Sequence, residues 1–163
     1  AACASYDPVF KVHPPLRTDV DIRAIREGLA DGTIDAIATD HAPHAAHMKE
    51  LPFDQAPPGM LGLETAFSLA LGESGLDLPE VLALLSWRPA AIAGVADRHG
   101  APVVPGAPAN LCVVDPEETW TVSGAAMASL SSNTPYEGRT LRGRVRHTIR
   151  AGVPVVVDGE ARR

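Results

Sequence analysis

The stretch Ile34 to His47, IDAIATDHAPHAAH, leaves this chain few possible folds. A short, largely apolar run, Ile34 to Ala38, ends on Thr39 and Asp40, and His41, His44 and His47 then follow at regular spacing. Such a run bounded by polar groups predicts a buried strand of a parallel sheet. Upstream, Asp19 to Asp31 carries Ile22, Ile25 and Leu29 at helical spacing, with Thr18 or Asp19 to cap it and Gly32 to end it. Before that helix, Val9 to Val12 reads as another short strand, closed by Pro14 and Pro15, which have no N–H to give a ladder. Strand, helix and strand make a βαβ unit with parallel strands and a right-handed crossover. The class is therefore α/β. Asp40 falls where a strand opens into a loop, the active-site face in a barrel of alternating strands and helices.

A carboxylate among imidazoles can bind a divalent metal or move protons. The same residues also suit an Asx-type turn with solvated histidines, His47 above all. Lys11, His13 and Arg17, around the Pro-Pro turn, can receive an anion or serve as surface charge. Met48 to Met60 is a long, proline-rich loop of the kind that forms lids and binding loops. Within it, Pro57-Pro58-Gly59 sets a rigid turn beside a residue without a side chain, where a ligand can meet backbone, or where a helix can simply begin.

Helices are predicted over Leu61 to Leu71, from Pro79 to Ser86 and over Trp87 to Gly94. From about Gly100 the texture changes to short alternating β patterns: GAPANLCVVD, WTVSG and LRGRVRHTIRAGVPVVVDGE. Val145 to Ile149 and Val153 to Val157 should pair as a hairpin across Arg150 to Gly152, and so small a β region needs partner strands. With 163 residues, 45% of them hydrophobic, the chain can build one ordinary core. A net charge of −6 and no long Lys/Arg run argue against nucleic acid, and no apolar stretch approaches a membrane span, so a soluble, cytoplasmic protein is expected. Cys3 and Cys112 read as two free thiols.

Five strings resemble dihydroorotases of the amidohydrolase superfamily. TDHAPH resembles the signature ending their eighth barrel strand, and KVHPPLR resembles the KxNPPLR string leaving the seventh, with His13 standing in the place of the Asn. APPGMLGLET is similar to their substrate-binding stretch, WRPAAIAG to the NPAxxLGL segment that closes the barrel, and NTPYEGRTLRGRVRHTI to the NSPFEGxxLxGxV stretch of their sandwich. The resemblance implies the C-terminal part of a metal-dependent-hydrolase TIM barrel in residues 1–99, its last βα units, followed by part of a small composite β-sandwich in residues 100–163.

The activity it implies is the zinc-dependent, reversible cyclisation of N-carbamoyl-L-aspartate to L-dihydroorotate in pyrimidine biosynthesis. Asp40 would ligate Zn2+ and transfer the proton, His44 would hold the substrate carboxylate, Pro58 and Gly59 would offer backbone contacts, and His13 would face the ring. One or two zinc ions are implied, with the family's HxH pair and bridging Lys or Asp upstream of Ala1, so the chain reads as a fragment, inactive alone. Partners implied are the small-molecule substrate, with neither nucleic acid nor membrane, and a second copy or aspartate transcarbamoylase. Two other readings remain: a hydantoinase or allantoinase type of cyclic amidohydrolase, and a non-catalytic subunit that scaffolds the transcarbamoylase.

Overall fold

The computed structural model describes residues 2–162. Two 3-10 turns come first, Ala2–Ser5 and Pro8–Phe10. The second stands where a strand was expected at Val9 to Val12. Its cause is local: Asp7 accepts a hydrogen bond from the Val9 N–H at 2.9 Å, and Pro8 has the fixed φ of a first helical residue.

Helix α1 (Asp19–Ala30) forms where the pattern predicts. The Asp21 carboxylate reaches back to accept from the Thr18 N–H at 3.0 Å and the Thr18 hydroxyl at 2.7 Å, tying down the helix entry. Leu29 is buried, but Ile22 and Ile25 remain 40% and 47% exposed, so much of the apolar stripe is left open among the described residues. Ile34 to Ala38 is not a strand: no strand pairs with it among the described residues, and the Ile34 N–H donates back to the Gly28 carbonyl at 2.8 Å. It is held by the Ile37 N–H, which donates to the Leu84 carbonyl at 2.9 Å, and by packing of the Ile37 side chain near Phe67, Ala70 and Val81. The parallel bridge between His41 and Met60 follows it.

A one-turn helix α2 (Ala46–Lys49) leads into the proline-rich loop. Helix α3 (Ala66–Glu73) starts later than predicted, and the N–H groups of residues 61–63 are bonded to distant segments. Leu61 donates to the Asn133 carbonyl, and Gly62 and Leu63 both donate to His41 Nδ1. Helix α4 (Leu78–Leu85) has Asp77 as its cap, accepting from the Glu80 N–H at 3.0 Å, and Pro79 in its first turn. Helix α5 (Trp87–Ile92) follows directly.

The rest is an antiparallel meander in the order β1 (Leu111–Thr121), β2 (Thr140–Arg150), β3 (Val153–Val157), β4 (Glu160–Ala161). Strand β1 unites two predicted β segments. Pro116 cannot donate to the ladder, and the chain passes it in a bulge between Asp115 and Thr119, where Asp115 Oδ1 accepts from the Glu117 and Glu118 N–H groups. The predicted hairpin is present: Ala151 and Gly152, at φ 49° and 82°, supply the two positive-φ residues of its tight turn.

Helix α3 lies on β2. The buried Ser68 hydroxyl donates to the Gly143 carbonyl and accepts from Trp120 Nε1, and a Cβ on Gly143 would stand 2.8 Å from Leu71, so helix and strand touch through a residue without a side chain. One core cluster, Leu61, Val122, Met127 and Leu141, joins the helix entry to the sheet; another, around Phe67, Ala70 and Val81, joins α3 to α4. Val81 and Leu84 are fully buried, each such side chain contributing about 1.5–3 kcal/mol. Among the described residues no helix is long and apolar enough to cross a membrane.

Candidate active site

Asp40 follows the segment Ile34 to Ala38 with φ 45°, a left-handed conformation that Asp tolerates better than most residues. Its carboxylate is exposed and takes part in no hydrogen bond or ion pair among the described residues. The next residue has a different task. His41 Nδ1 accepts from the N–H groups of Gly62 and Leu63 at 3.1 and 3.3 Å, so that nitrogen keeps its lone pair and the neutral ring carries its proton on Nε2. The ring thereby ties the strand end to the approach of α3.

His44 turns toward the proline-rich loop. Its Nε2 lies 3.0 Å from the Pro58 carbonyl, which can only accept, so Nε2 is the donor and Nδ1 is left for another partner. Gly59 is what makes this approach possible. It is buried, at φ 140°, and a Cβ there would stand 2.7 Å from both Ala42 Cβ and His44 Nε2. Its N–H is already given to the Lys11 carbonyl at 2.8 Å, and its carbonyl accepts from Lys49 Nζ at 3.0 Å and Asn133 Nδ2 at 3.3 Å. Gly59 therefore contributes space at this turn, while its own N–H is given to Lys11, outside the loop.

Two lysines hold the loop from its two sides. Lys11 Nζ donates to the carbonyls of Phe53 and Asp54 at 2.7 and 3.1 Å and lies 5.5 Å from the Phe53 ring centre. Lys49 Nζ donates to Pro57 and Gly59 at 3.0 Å each. Burial, and then the charge of Lys11, hold the Lys49 ammonium below its ordinary value of 10.5.

The structure thus brings together His44, Pro58, Gly59 and Lys11. His13 is exposed with no partner among the described residues, His47 is exposed in α2, and Arg17 pairs with Asp21 at 3.3 Å. Three residues of the site escaped the sequence reading in these roles: Lys11, Lys49 and Asn133. No local spacing marks Asn133, whose partners lie 74 to 91 residues away. Among the described residues no three His, Cys, Asp or Glu side chains are grouped to hold a metal. Asp40 alone, with an open and uncommitted carboxylate, has the chemistry of a single ligand.

The family model described as the amidohydrolase family matches residues 13–155. The chain is 51% identical over 160 residues to a dihydroorotase of Streptomyces coelicolor, covering 96% of this chain and 37% of that protein. To a dihydroorotase of Mycobacterium tuberculosis it is 48% identical over 166 residues, covering 99% and 38%. Among solved structures it is similar to a D-hydantoinase (dihydropyrimidinase) from Thermus sp., with TM-score 0.82 and 26% identity over 95% of this chain and 35% of the other. An L-hydantoinase (dihydropyrimidinase) from Arthrobacter aurescens superposes with TM-score 0.87 at 24% identity, covering 99% and 37%. The chain spans a little over a third of the length of the curated relatives it matches.

Proposed function

The chain belongs to the amidohydrolase family, and on that premise we propose that it forms the carboxyl-terminal part of a dihydroorotase. In this reading residues 1–99 supply the last βα units of a TIM barrel and residues 100–163 supply part of a small β-sandwich. The exposed stripe of α1, Ile22 and Ile25, is then a seam for the rest of the barrel. The reaction is the reversible closure of N-carbamoyl-L-aspartate to L-dihydroorotate, with loss of water.

Asp40 fits one ligand position of a zinc centre whose other ligands lie outside this chain. Zinc, when bound, supplies Lewis acidity toward the amide carbonyl and toward water. Asp40 would keep one oxygen free to move a proton: in ring opening it takes the proton from the attacking water and delivers it to the departing ring nitrogen, and in closure it runs the same transfer backwards. His44 would receive the substrate carboxylate at Nδ1. Because Nε2 already donates to Pro58, a hydrogen bond from Nδ1 to a carboxylate requires the imidazolium, which also pairs its charge with that of the ligand. Gly59 would keep the His44 ring against the loop, and His13 would face the pyrimidine ring.

What carries the substrate assignment is that identity to dihydroorotases is far higher than identity to the hydantoinase structures. A hydantoinase-type activity is the second reading, favoured by the names of the solved neighbours. The two separate by assay of the whole polypeptide that carries this chain, supplied with zinc, on L-dihydroorotate, dihydrouracil and hydantoin. The proposal expects kcat/KM for L-dihydroorotate to exceed the others by about 100-fold or more, since a site built to hold a carboxylate rejects rings that lack one. A preference for hydantoin or dihydrouracil would overturn it.

A further inference from the structure

Asn133, between β1 and β2, is 7% exposed, and its side chain reaches two segments that are distant from it in sequence. Its Oδ1 accepts from the His44 N–H at 3.1 Å, and its Nδ2 donates to the Ala42 carbonyl at 3.0 Å and the Gly59 carbonyl at 3.3 Å. Its main-chain carbonyl accepts from the Leu61 N–H at 3.1 Å. The orientation of the amide follows from these partners: two carbonyls require the NH2 side and one N–H requires the oxygen, so neither a carboxylate nor a flipped amide satisfies all three. Asn133 therefore fastens the histidine turn, the Pro58–Gly59 turn and the approach to α3 to one another.

We propose that Asn133 is a positioning residue for substrate binding, a brace that holds His44 against the Pro58–Gly59 turn before any ligand arrives. The substrate it serves rests on the dihydroorotase reading, whereas the brace itself rests on the hydrogen bonds alone. A loop fixed in advance loses less conformational freedom when it meets its ligand, so the brace acts on affinity. Its effect should appear in KM, because the contacts of His44 with a substrate carboxylate exist already in the ground state. The chemical step, which falls to Asp40, a residue to which Asn133 makes no hydrogen bond among the described residues, should be nearly indifferent to it.

The test uses the whole polypeptide that carries this chain, with Asn133→Ala and Asn133→Asp. The first removes all three side-chain bonds. The second keeps the acceptor for His44, loses both donors and sets a carboxylate against two carbonyl oxygens. Amide hydrogen exchange reads the brace without reference to activity: both variants should speed exchange across residues 41–61, Asn133→Ala by about tenfold or more, while α4 keeps its protection. Steady-state assay with L-dihydroorotate should give a KM raised about tenfold in Asn133→Ala with kcat within about threefold of the parent. If Asn133→Ala does not fold, the near-isosteric Asn133→Asp carries both measurements. Unchanged exchange in residues 41–61 would show that there is no brace. Faster exchange with unchanged KM, or a fall in kcat alone, would show that the brace does not serve the substrate. A parent protein inactive on dihydroorotate would remove the substrate reading while the exchange data still decide the brace.

Discussion

The His44 imidazole occupies the space that a side chain on residue 59 would need: a Cβ on Gly59 would come within 2.7 Å of His44 Nε2. The two residues are therefore coupled, although fifteen positions separate them. Gly59→Ala must displace the ring or the loop, and it also places a Cβ at φ 140°, for a combined strain of about 2 kcal/mol. Expressed as lost affinity, that is about thirtyfold in kcat/KM for L-dihydroorotate, with a modest fall in melting temperature. Steady-state kinetics and a thermal melt check it, and an unchanged kcat/KM would mean that His44 does not need its present place.

In the proposed reading His13 takes the place of an amide that would face the pyrimidine ring, and the structure leaves its own ring exposed and unpartnered among the described residues. An amide can match a neighbouring donor and acceptor on the pyrimidine ring at once, while a neutral imidazole offers only one of them in a given direction. One such bond is worth about 1 kcal/mol, so His13→Asn should raise kcat/KM for dihydroorotate several-fold. Kinetics of both forms across pH decide the matter. Coincident profiles and equal kcat/KM would show that His13 points away from the ring.

The sheet should be sensitive to acid. Glu118 accepts from Arg146 at 2.7 Å and Arg144 at 3.2 Å, and Arg146 also donates to Asp158 at 2.9 Å. The hydrogen bonds from Arg146 hold both carboxyls below their ordinary values of 4.5 and 3.8. Since the folded chain favours the charged forms, the stabilisation is complete above those ordinary values and is lost as pH falls through the depressed ones. Melting temperature should decline below pH 4.5, and Glu118→Gln should flatten that decline. An equal slope in parent and variant would show that the Glu118 ion pairs contribute nothing to it.

The elements legible in the sequence were those whose causes are local. Thr18 marks the start of α1, Pro79 the first turn of α4, and the stretch from Arg150 to Gly152 turns the hairpin, each through residues within a turn of one another. Ile34 to Ala38 has the composition of a buried strand, but strand formation depends on a neighbour, and its N–H at Ile37 goes instead to Leu84. Val9 to Val12 was lost to a stronger local signal, the Asp7 cap on a turn opened by Pro8. Of the site, the turn of histidines that follows Asp40 could be read from its motif, whereas the loop clamp made by Lys11, Lys49 and Asn133 could not, because side chains that bond to main-chain carbonyls leave no pattern in spacing.

The central claim is that the free carboxylate of Asp40 performs the proton transfer of a dihydroorotase, and Asp40→Asn tests it most directly. The substitution keeps the shape and removes the charge, and because the side chain is exposed and bonded to no other described residue, the fold should be unaffected. The measurement is kcat for L-dihydroorotate ring opening by the zinc-supplied polypeptide that carries this chain, parent against Asp40→Asn, with circular dichroism to confirm equal folding. The account predicts a fall of about 1,000-fold or more at unchanged melting temperature; a well-folded variant that retains more than about a tenth of the parent kcat would contradict it.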